Sequence, residues 1–426
     1  MKVLGIVAEY NPFHNGHMYH IEESRKAAGC DAVICVMSGN FIQRGEPAVI
    51  NKFARTETAI ENGVDLVIEL PVPFAMSSAE SFAYGAVKIL DSIGLVDCIS
   101  FGSESGDIHS LQTIAKILAD EPEAYREELK SQLDDGLSFP VCRQKALENY
   151  LKLNPHGIAG ENLSLLLETS NNILALEYLK ALIRLKSNIR PFTVQRVSNS
   201  YNTNQLTGSI SSATAIRNRI YGSDKTRASM EIDGTASQAL PAFSRQILQK
   251  EICEGRGPNS LYSLENIILA LLRHTTLEQI GRLPDVSEGL EYRIKKAVIN
   301  SGSVDELLSN ICTKRYPKTR IQRIILSMLT GMTKDDMEQF MELGGPQYAR
   351  ILGFNSTGRE LLSMMKKNSE IPVITKASGY KNSSNKLIKR MLEIEAQATD
   401  TYVLAYKNPA FRKAGQDFTQ NIIICR

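Results

Sequence analysis

Apolar residues fall along the first hundred positions in short, nearly unbroken runs: VLGIVAEY (3–10), DAVICVMS (31–38), DLVIELP (65–71) and DCISFGS (97–103). Continuous apolar character of this kind marks strands buried on both faces, as in a parallel sheet. Between the runs, residues 17–28, 52–62 and 78–92 read as helices. In the last of these, Phe82, Val87, Ile89 and Leu90 recur near helical spacing. The alternation predicts an α/β fold, a doubly wound parallel sheet with helices on both faces. Such sheets bind ligands at the carboxyl ends of their strands, and EYNPFHNGH, SGNFIQRGEPA and FGSESGD all lie after strands there.

From about residue 107 the pattern becomes mostly helical. One strand-like run returns at FTVQRVS (192–198), before SISSATAIRNRI opens a helix with Ser and Thr at capping positions. The first domain is therefore expected to span 1–222. A polar connector leads to a helical domain over 223–370. An extension over 371–426 reads as loop-rich, with weak strand signals near TYVLAY and NIIIC.

Composition narrows the class. At 426 residues the chain exceeds the usual single core, and 43% apolar with 23% charged residues is the balance of a soluble globular protein. No stretch approaches the roughly 20 apolar residues of a membrane span, and no signal peptide is legible, so a cytoplasmic protein is expected. Seven scattered cysteines without a Cys-x-x-Cys pair suit reduced thiols, with Cys35 and Cys98 as small core residues. Net charge is only +2, yet residues 1–150 carry 12 Lys and Arg against 22 Asp and Glu. The remainder is correspondingly basic, which points to an anionic partner for the back of the chain.

The chemistry concentrates at His14-Asn15-Gly16-His17. A strand that ends in a turn and then a helix presents free backbone N–H groups and a positive dipole end, a natural phosphate site. Gly16 allows close backbone approach, and two imidazoles add donors that bridge phosphates as charge develops at the α-phosphorus. A metal site through His14, His17 and His20 is the alternative, but no nearby Cys or paired acid completes a ligand set. Neither a Walker A sequence nor Gly-x-Gly-x-x-Gly is present. Gln43 and Arg44 lie on a glycine-containing loop expected over the same sheet edge, and Lys52 and Arg55 come one helical turn apart. Whether these four face a phosphate ligand or RNA is left open by the sequence. Further on, TKRYPKTRIQR packs Lys314, Arg315, Lys318, Arg320 and Arg323 around Tyr316, a pattern suited to phosphates and an unstacked base.

His14-Asn15-Gly16-His17 after a strand resembles the HxGH signature of the nucleotidyltransferase superfamily. Ser212-Ala213-Thr214-Ala215-Ile216-Arg217 resembles its second motif. More narrowly, AEYNPFHNGH, MSGNFIQRGEPA, DLVIELP, FGSESGD, NNIL, SSATAIR and TKRYPKTRIQR are similar to the bacterial tRNA(Met) cytidine acetate ligases. That resemblance implies an ATP-dependent ligase that activates acetate as acetyl-adenylate. The acetyl group then passes to the exocyclic amine of the wobble cytidine of elongator tRNA(Met), without acetyl-CoA.

The resemblance also implies roles. His14 and His17 would be catalytic. The loop Val7, Ala8, Glu9, Tyr10, Asn11, Pro12, Phe13, His14, Asn15, Gly16, His17, Met18, Tyr19 and His20 would line the ATP site. Gly102, Asn171 (or its neighbour Asn172) and Arg196 would complete the nucleotide contacts, with a helix N-cap as the competing role for Asn171, while Ser212, Thr214 and Arg217 would hold the outer phosphates. Magnesium is expected with the triphosphate, although no protein ligand for it is legible. The competing expectation is a nucleotidyltransferase that joins a nucleotide to a small phosphorylated metabolite, which leaves the basic helical half unexplained. An RNA-binding protein that has lost catalysis is disfavoured by the intact His14, His17 and Arg217.

Overall fold

The computed structural model describes residues 1–134, 139–154, 163, 166–196, 211–222, 234–380 and 383–426. Its core is an eight-stranded, mostly parallel sheet. The strands are β1 (Val3–Ala8), β2 (Ala32–Ser38), β5 (Leu66–Leu70), β6 (Cys98–Ser103), β7 (Arg190–Gln195), β8 (Ala349–Phe354), β9 (Val373–Ile374) and β10 (Ile423–Ile424). A separate two-residue hairpin, β3 (Phe41–Ile42) with β4 (Glu46–Pro47), lies off the sheet. The strand order is β10-β8-β5-β2-β1-β6-β7, with β9 beside β8.

Burial on both faces explains the unbroken apolar runs. Along β2, Ala32, Ile34 and Val36 enter one apolar cluster, while Val33, Cys35 and Met37 enter another. Helices α1 (Asn15–Ala28) and α2 (Lys52–Glu61) cover the second face through Ile21, Ala28, Ala59 and Ile60. The helices Ala79–Ser92 and Ser170–Leu185 cover the first through Phe82, Val87, Leu176 and Leu179. Several starts are chemically marked: Asn51 accepts from the backbone N–H groups of Phe53 and Ala54, and Ser78 from that of Ser81. From β1 the chain steps outward to β2 and β5, then returns to lay β6 against the other side of β1. The topological switch, and with it the ligand crevice, falls between β1 and β6.

Two expectations are corrected. The sheet is not confined to residues 1–222: β8 pairs antiparallel with β5, and β9 and β10 run parallel to β8. The boundaries expected at 222 and 370 therefore do not separate the sheet from the rest of the chain, and one apolar cluster continues through Ile268, Ile324 and Met391. Nor is the tail loop-rich. Residues 386–402 form a 17-residue helix that runs into the first part of TYVLAY, whereas the strand signal in NIIIC is real as β10. TYVLAY differs because its apolar residues pack as the end of an amphipathic helix, a pattern too short to separate from a strand by period. The end of FTVQRVS and most of the polar connector lie outside the described residues.

A buried ion cluster binds the tail to the front. Lys52 Nζ lies 2.6 Å from Glu69, 3.2 Å from Glu395 and 2.6 Å from Asp417, and Arg350 lies 3.0 Å from Glu69 and also pairs with Asp417. All five side chains are buried. Lys52 therefore faces neither ATP nor RNA. These three acids are the one group among the described residues close enough to share a metal, and the lysine ammonium already fills its centre. No described helix is long and apolar enough to cross a membrane. All seven cysteines are free, with Cys35 and Cys98 buried.

Candidate active site

After β1 the chain turns sharply at Tyr10, whose φ of 47° is left-handed. Arg55 holds this turn from beneath. Its guanidinium donates to the carbonyls of Glu9, Ser38, Gly39 and Ile50. Arg55 is thus a buried scaffold cation, not a ligand for phosphate or RNA. Asn11 Oδ1 accepts the Val49 N–H at 2.7 Å, and the Asn11 carbonyl accepts Arg217 Nη1 at 2.9 Å. The second motif is thereby tied directly to the first.

His14 is the N-cap of α1. Its Nδ1 accepts the Gly16 N–H at 3.1 Å, and His17 Nδ1 accepts the His14 N–H at 3.2 Å, a reciprocal capping box built from two imidazoles. A backbone N–H donor leaves Nδ1 bare, so the neutral tautomer carries its proton on Nε2. The rings stack with centroids 3.7 Å apart at 23°. Burial, then Arg196 and Arg217, push His14 down to about 3. Burial, then His14, hold His17 well below the usual imidazole range. Both rings are therefore neutral Nε2–H donors in the free protein. His20 is also depressed, to about 4, by burial and then Arg196, and its Nε2 lies 3.1 Å from Ser100 Oγ.

These groups border a cavity of about 360 Å³ at the switch point. Of the expected nucleotide contacts, Val7, Ala8, Glu9, Tyr10, Asn11, His14, Gly16, His17, Tyr19, His20, Gly102, Asn171, Arg196, Ser212 and Arg217 line it. Pro12, Phe13, Asn15, Met18 and Thr214 do not. Phe13 is buried against Tyr10 and His17, and Met18 packs on the second apolar cluster. Asn15 Nδ2 donates to the Gln238 carbonyl, and Thr214 Oγ1 accepts Arg217 Nη2 at 3.2 Å. A continuous stretch cannot all face one cavity once its second half is helical, because successive side chains point around the axis.

Gly102 is explained by close approach: a Cβ there would stand 3.2 Å from Arg196 Cγ. Asn171 is not a cap. Thr169 precedes the helix, and Asn171 Nδ2 donates to Glu104 at 2.6 Å with its Oδ1 3.5 Å from Arg196 Nη1. Ser212 does cap its helix, accepting the Ala215 N–H. Gln43 and Arg44 line the cavity. The Gln43 N–H donates to the Glu9 carboxylate at 2.8 Å, and burial raises that carboxyl above its ordinary range.

Sequence reasoning missed the aromatic part of the wall, Phe82, Phe101 and Tyr178, together with Leu174. A signal was available, since 171, 174 and 178 share one helical face. The basic run divides. Arg315 pairs with Glu288, Arg320 donates to the Asp285 carbonyl and Ser287, and Arg323 pairs with Asp285, so three of its cations brace the loop 285–288. Lys314 and Lys318 are exposed, and Tyr316 is partly buried under Arg320, whose guanidinium lies 5.4 Å from the ring centroid.

The fold and the paired motifs define a nucleotidyltransferase-type α/β protein, and the family profile HIGH Nucleotidyl Transferase matches residues 1–417. The tRNA(Met) cytidine acetate ligase of Acetivibrio thermocellus is 54% identical over 424 residues, covering 100% of both chains. That of Thermoanaerobacter sp. is 46% identical and covers 99% of this chain and 100% of its own. The crystal structure of Thermotoga maritima TmcAL bound with alpha-thio ATP matches with a TM-score of 0.91 at 39% identity, covering 100% of this chain and 99% of that one. The chain belongs to the tRNA(Met) cytidine acetate ligase family.

Proposed function

We propose that this protein activates acetate with ATP and transfers the acetyl group to the wobble cytidine of elongator tRNA(Met). In the first step an acetate oxygen attacks the α-phosphorus, the bond to the bridging oxygen breaks, and pyrophosphate leaves with the electron pair. In the second, the exocyclic amine attacks the carbonyl carbon and AMP leaves, while the amine gives up one proton. Acetyl-CoA takes no part. One observation carries the reading: two stacked, neutral imidazoles with bare Nδ1 atoms border the switch-point cavity together with Arg196 and Arg217.

Their Nε2–H groups would donate to the α-phosphoryl oxygens, where charge grows in the transition state. Arg217 and Ser212 would hold the departing pyrophosphate, and Gly102, Asn171 and Arg196 the adenosine side. Magnesium would travel with the triphosphate and neutralise its outer charge. The exposed Lys314 and Lys318 would meet the tRNA backbone, with the other basic-run residues holding the loop beneath them. A reducing cytoplasm suits the free thiols. The test incubates the protein with ATP, acetate and elongator tRNA(Met), then digests the tRNA for mass spectrometry of nucleosides. Acetylcytidine that depends on ATP and acetate is expected. Its absence, with intact tRNA and folded protein, overturns the proposal.

A further inference from the structure

Glu9 lies just past the end of β1 and lines the cavity. A carboxylate repels a triphosphate, so its place on this wall calls for a role other than holding phosphate. One of its oxygens is fixed: Oε1 accepts the Gln43 N–H at 2.8 Å, and Gln43 Nε2 in turn donates to the Ser77 carbonyl at 3.1 Å. The other oxygen accepts from no described residue, and Glu9 keeps part of its surface open to the cavity. Arg55 anchors the residue from beneath through its backbone carbonyl. Burial raises the carboxyl most, while the Gln43 N–H and then Arg217, Arg44 and Arg55 favour its ionised form. Tyr10, Cys35 and Tyr178, on the elements packed around it, are all held neutral by burial.

Strand order sets Glu9 apart from the adenosine contacts. β6 lies on one side of β1 and β2 on the other. Gly102 belongs to β6 and Arg196 follows β7 beyond it, whereas Gln43 comes from the loop after β2. His14 and His17 follow directly from β1 itself. A nucleotide laid from Gly102 across the two imidazoles therefore carries its α-phosphorus, and an acetyl group bonded there, toward Glu9. The loop that holds Gln43 also rests on the helix Lys318–Thr330, since a Cβ on Gly45 would stand 2.6 Å from the Arg323 backbone nitrogen. That helix carries the end of the basic run, so RNA held there approaches from the Glu9 side. The exocyclic amine of cytosine is a weak nucleophile, its lone pair being delocalised into the ring. Its attack gains from removal of an N–H proton in the same step.

We propose that Glu9 is the general base of acetyl transfer. Its second oxygen takes an N–H proton as the amine nitrogen bonds to the acetyl carbonyl carbon, whose π electrons move onto oxygen. That oxyanion collapses, the bond from the carbonyl carbon to the phosphate oxygen breaks, and AMP leaves with the electron pair. The neutral carboxyl then releases the proton to solvent, which restores the carboxylate. The proposal rests on the tRNA-acetylating reading above and adds to it the residue that carries the proton of its second step.

Two readouts on the full-length protein separate the steps. Acetate-dependent exchange of pyrophosphate into ATP reports adenylation without RNA. Single-turnover transfer from added acetyl-adenylate to elongator tRNA(Met) reports the second step. In the wild type, transfer is expected to rise through one carboxylate-like step between about pH 4.5 and 7.5, since a base acts only when ionised. Glu9→Gln keeps an oxygen to accept the Gln43 N–H but cannot take a proton. Its transfer is expected to fall on the order of a hundredfold and to lose the pH step, while exchange falls by less than about tenfold. Equal losses in both readouts, or transfer that keeps its pH step, overturn the assignment of Glu9. So does a wild-type transfer rate that is flat across that range, which needs no variant. If the wild type shows no acetate-dependent exchange, the underlying reading fails, and the role of Glu9 with it.

Discussion

Replacing Lys52 with Met tests how the tail supports the active site. In the native protein two cations face three carboxylates in a space closed to water; in Lys52→Met, Arg350 alone faces Glu69, Glu395 and Asp417. Removing one partner from a buried ionic group leaves uncompensated charge and typically costs about 3–5 kcal/mol. The cluster also positions the loop below the cavity. The Lys52 N–H donates to Asn40 Oδ1 at 2.8 Å, Asn40 donates to Thr399, and Thr399 donates to Asp417. Urea denaturation followed by circular dichroism reads the loss directly.

Its pH dependence has a definite sign. Burial, then the charge of Glu69, raise Glu395 well above its ordinary range, so its contribution is present below about 4.5 and lost as pH rises through the folded value. Burial would raise Asp417 too, but Arg350 and Lys52 outweigh it and hold the carboxyl down at about 2. Without Lys52 these acids need protons to stay buried. The deficit of Lys52→Met should therefore be largest near pH ~8 and shrink toward pH ~5. A loss below about 1 kcal/mol, or a deficit that grows on acidification, would refute this reasoning.

Other outcomes come from the same geometry. His17→Ala should lower the rate of acetate-dependent pyrophosphate exchange on the order of a hundredfold, since it removes one donor aimed at developing charge. With His14 held at about 3 and His20 at about 4, the imidazole resonances of these two rings in the free protein should show no titration between about pH 5 and 8, as read by NMR. Rings kept neutral by folding stabilise the protein above their ordinary value near 6.5, and that contribution should drain away as pH falls toward about 4 and 3. Gly102→Ala should raise the KM for ATP several-fold with little change in fold, because the new methyl presses on Arg196 at 3.2 Å.

The sheet was legible because strands buried on both faces read as unbroken apolar runs, and helix starts carry capping residues at Asn51, Ser78 and Ser212. His14 and His17 were legible for the same local reason, since a strand, a turn and a helix succeed one another within a few residues. What escaped depends on contacts distant in sequence. Nothing near Lys52 announces partners at 395 and 417, and a lysine one turn from Arg55 reads from sequence as a surface ligand. β8 was hidden because ARILGF comes after a run of helices and joins a sheet edge begun nearly 300 residues earlier. The cations at 315, 320 and 323 looked free because their acidic and carbonyl partners at 285–288 lie on another segment.

The central claim is that the two stacked imidazoles grip ATP by their Nε2–H groups, and a crystal structure of this protein with a nonhydrolysable ATP analogue measures it directly. Nε2 of both His14 and His17 should lie within hydrogen-bonding distance of phosphate oxygens, with Nδ1 still accepting from backbone. Phosphates seated elsewhere in the cavity, with either ring turned from them, would contradict it.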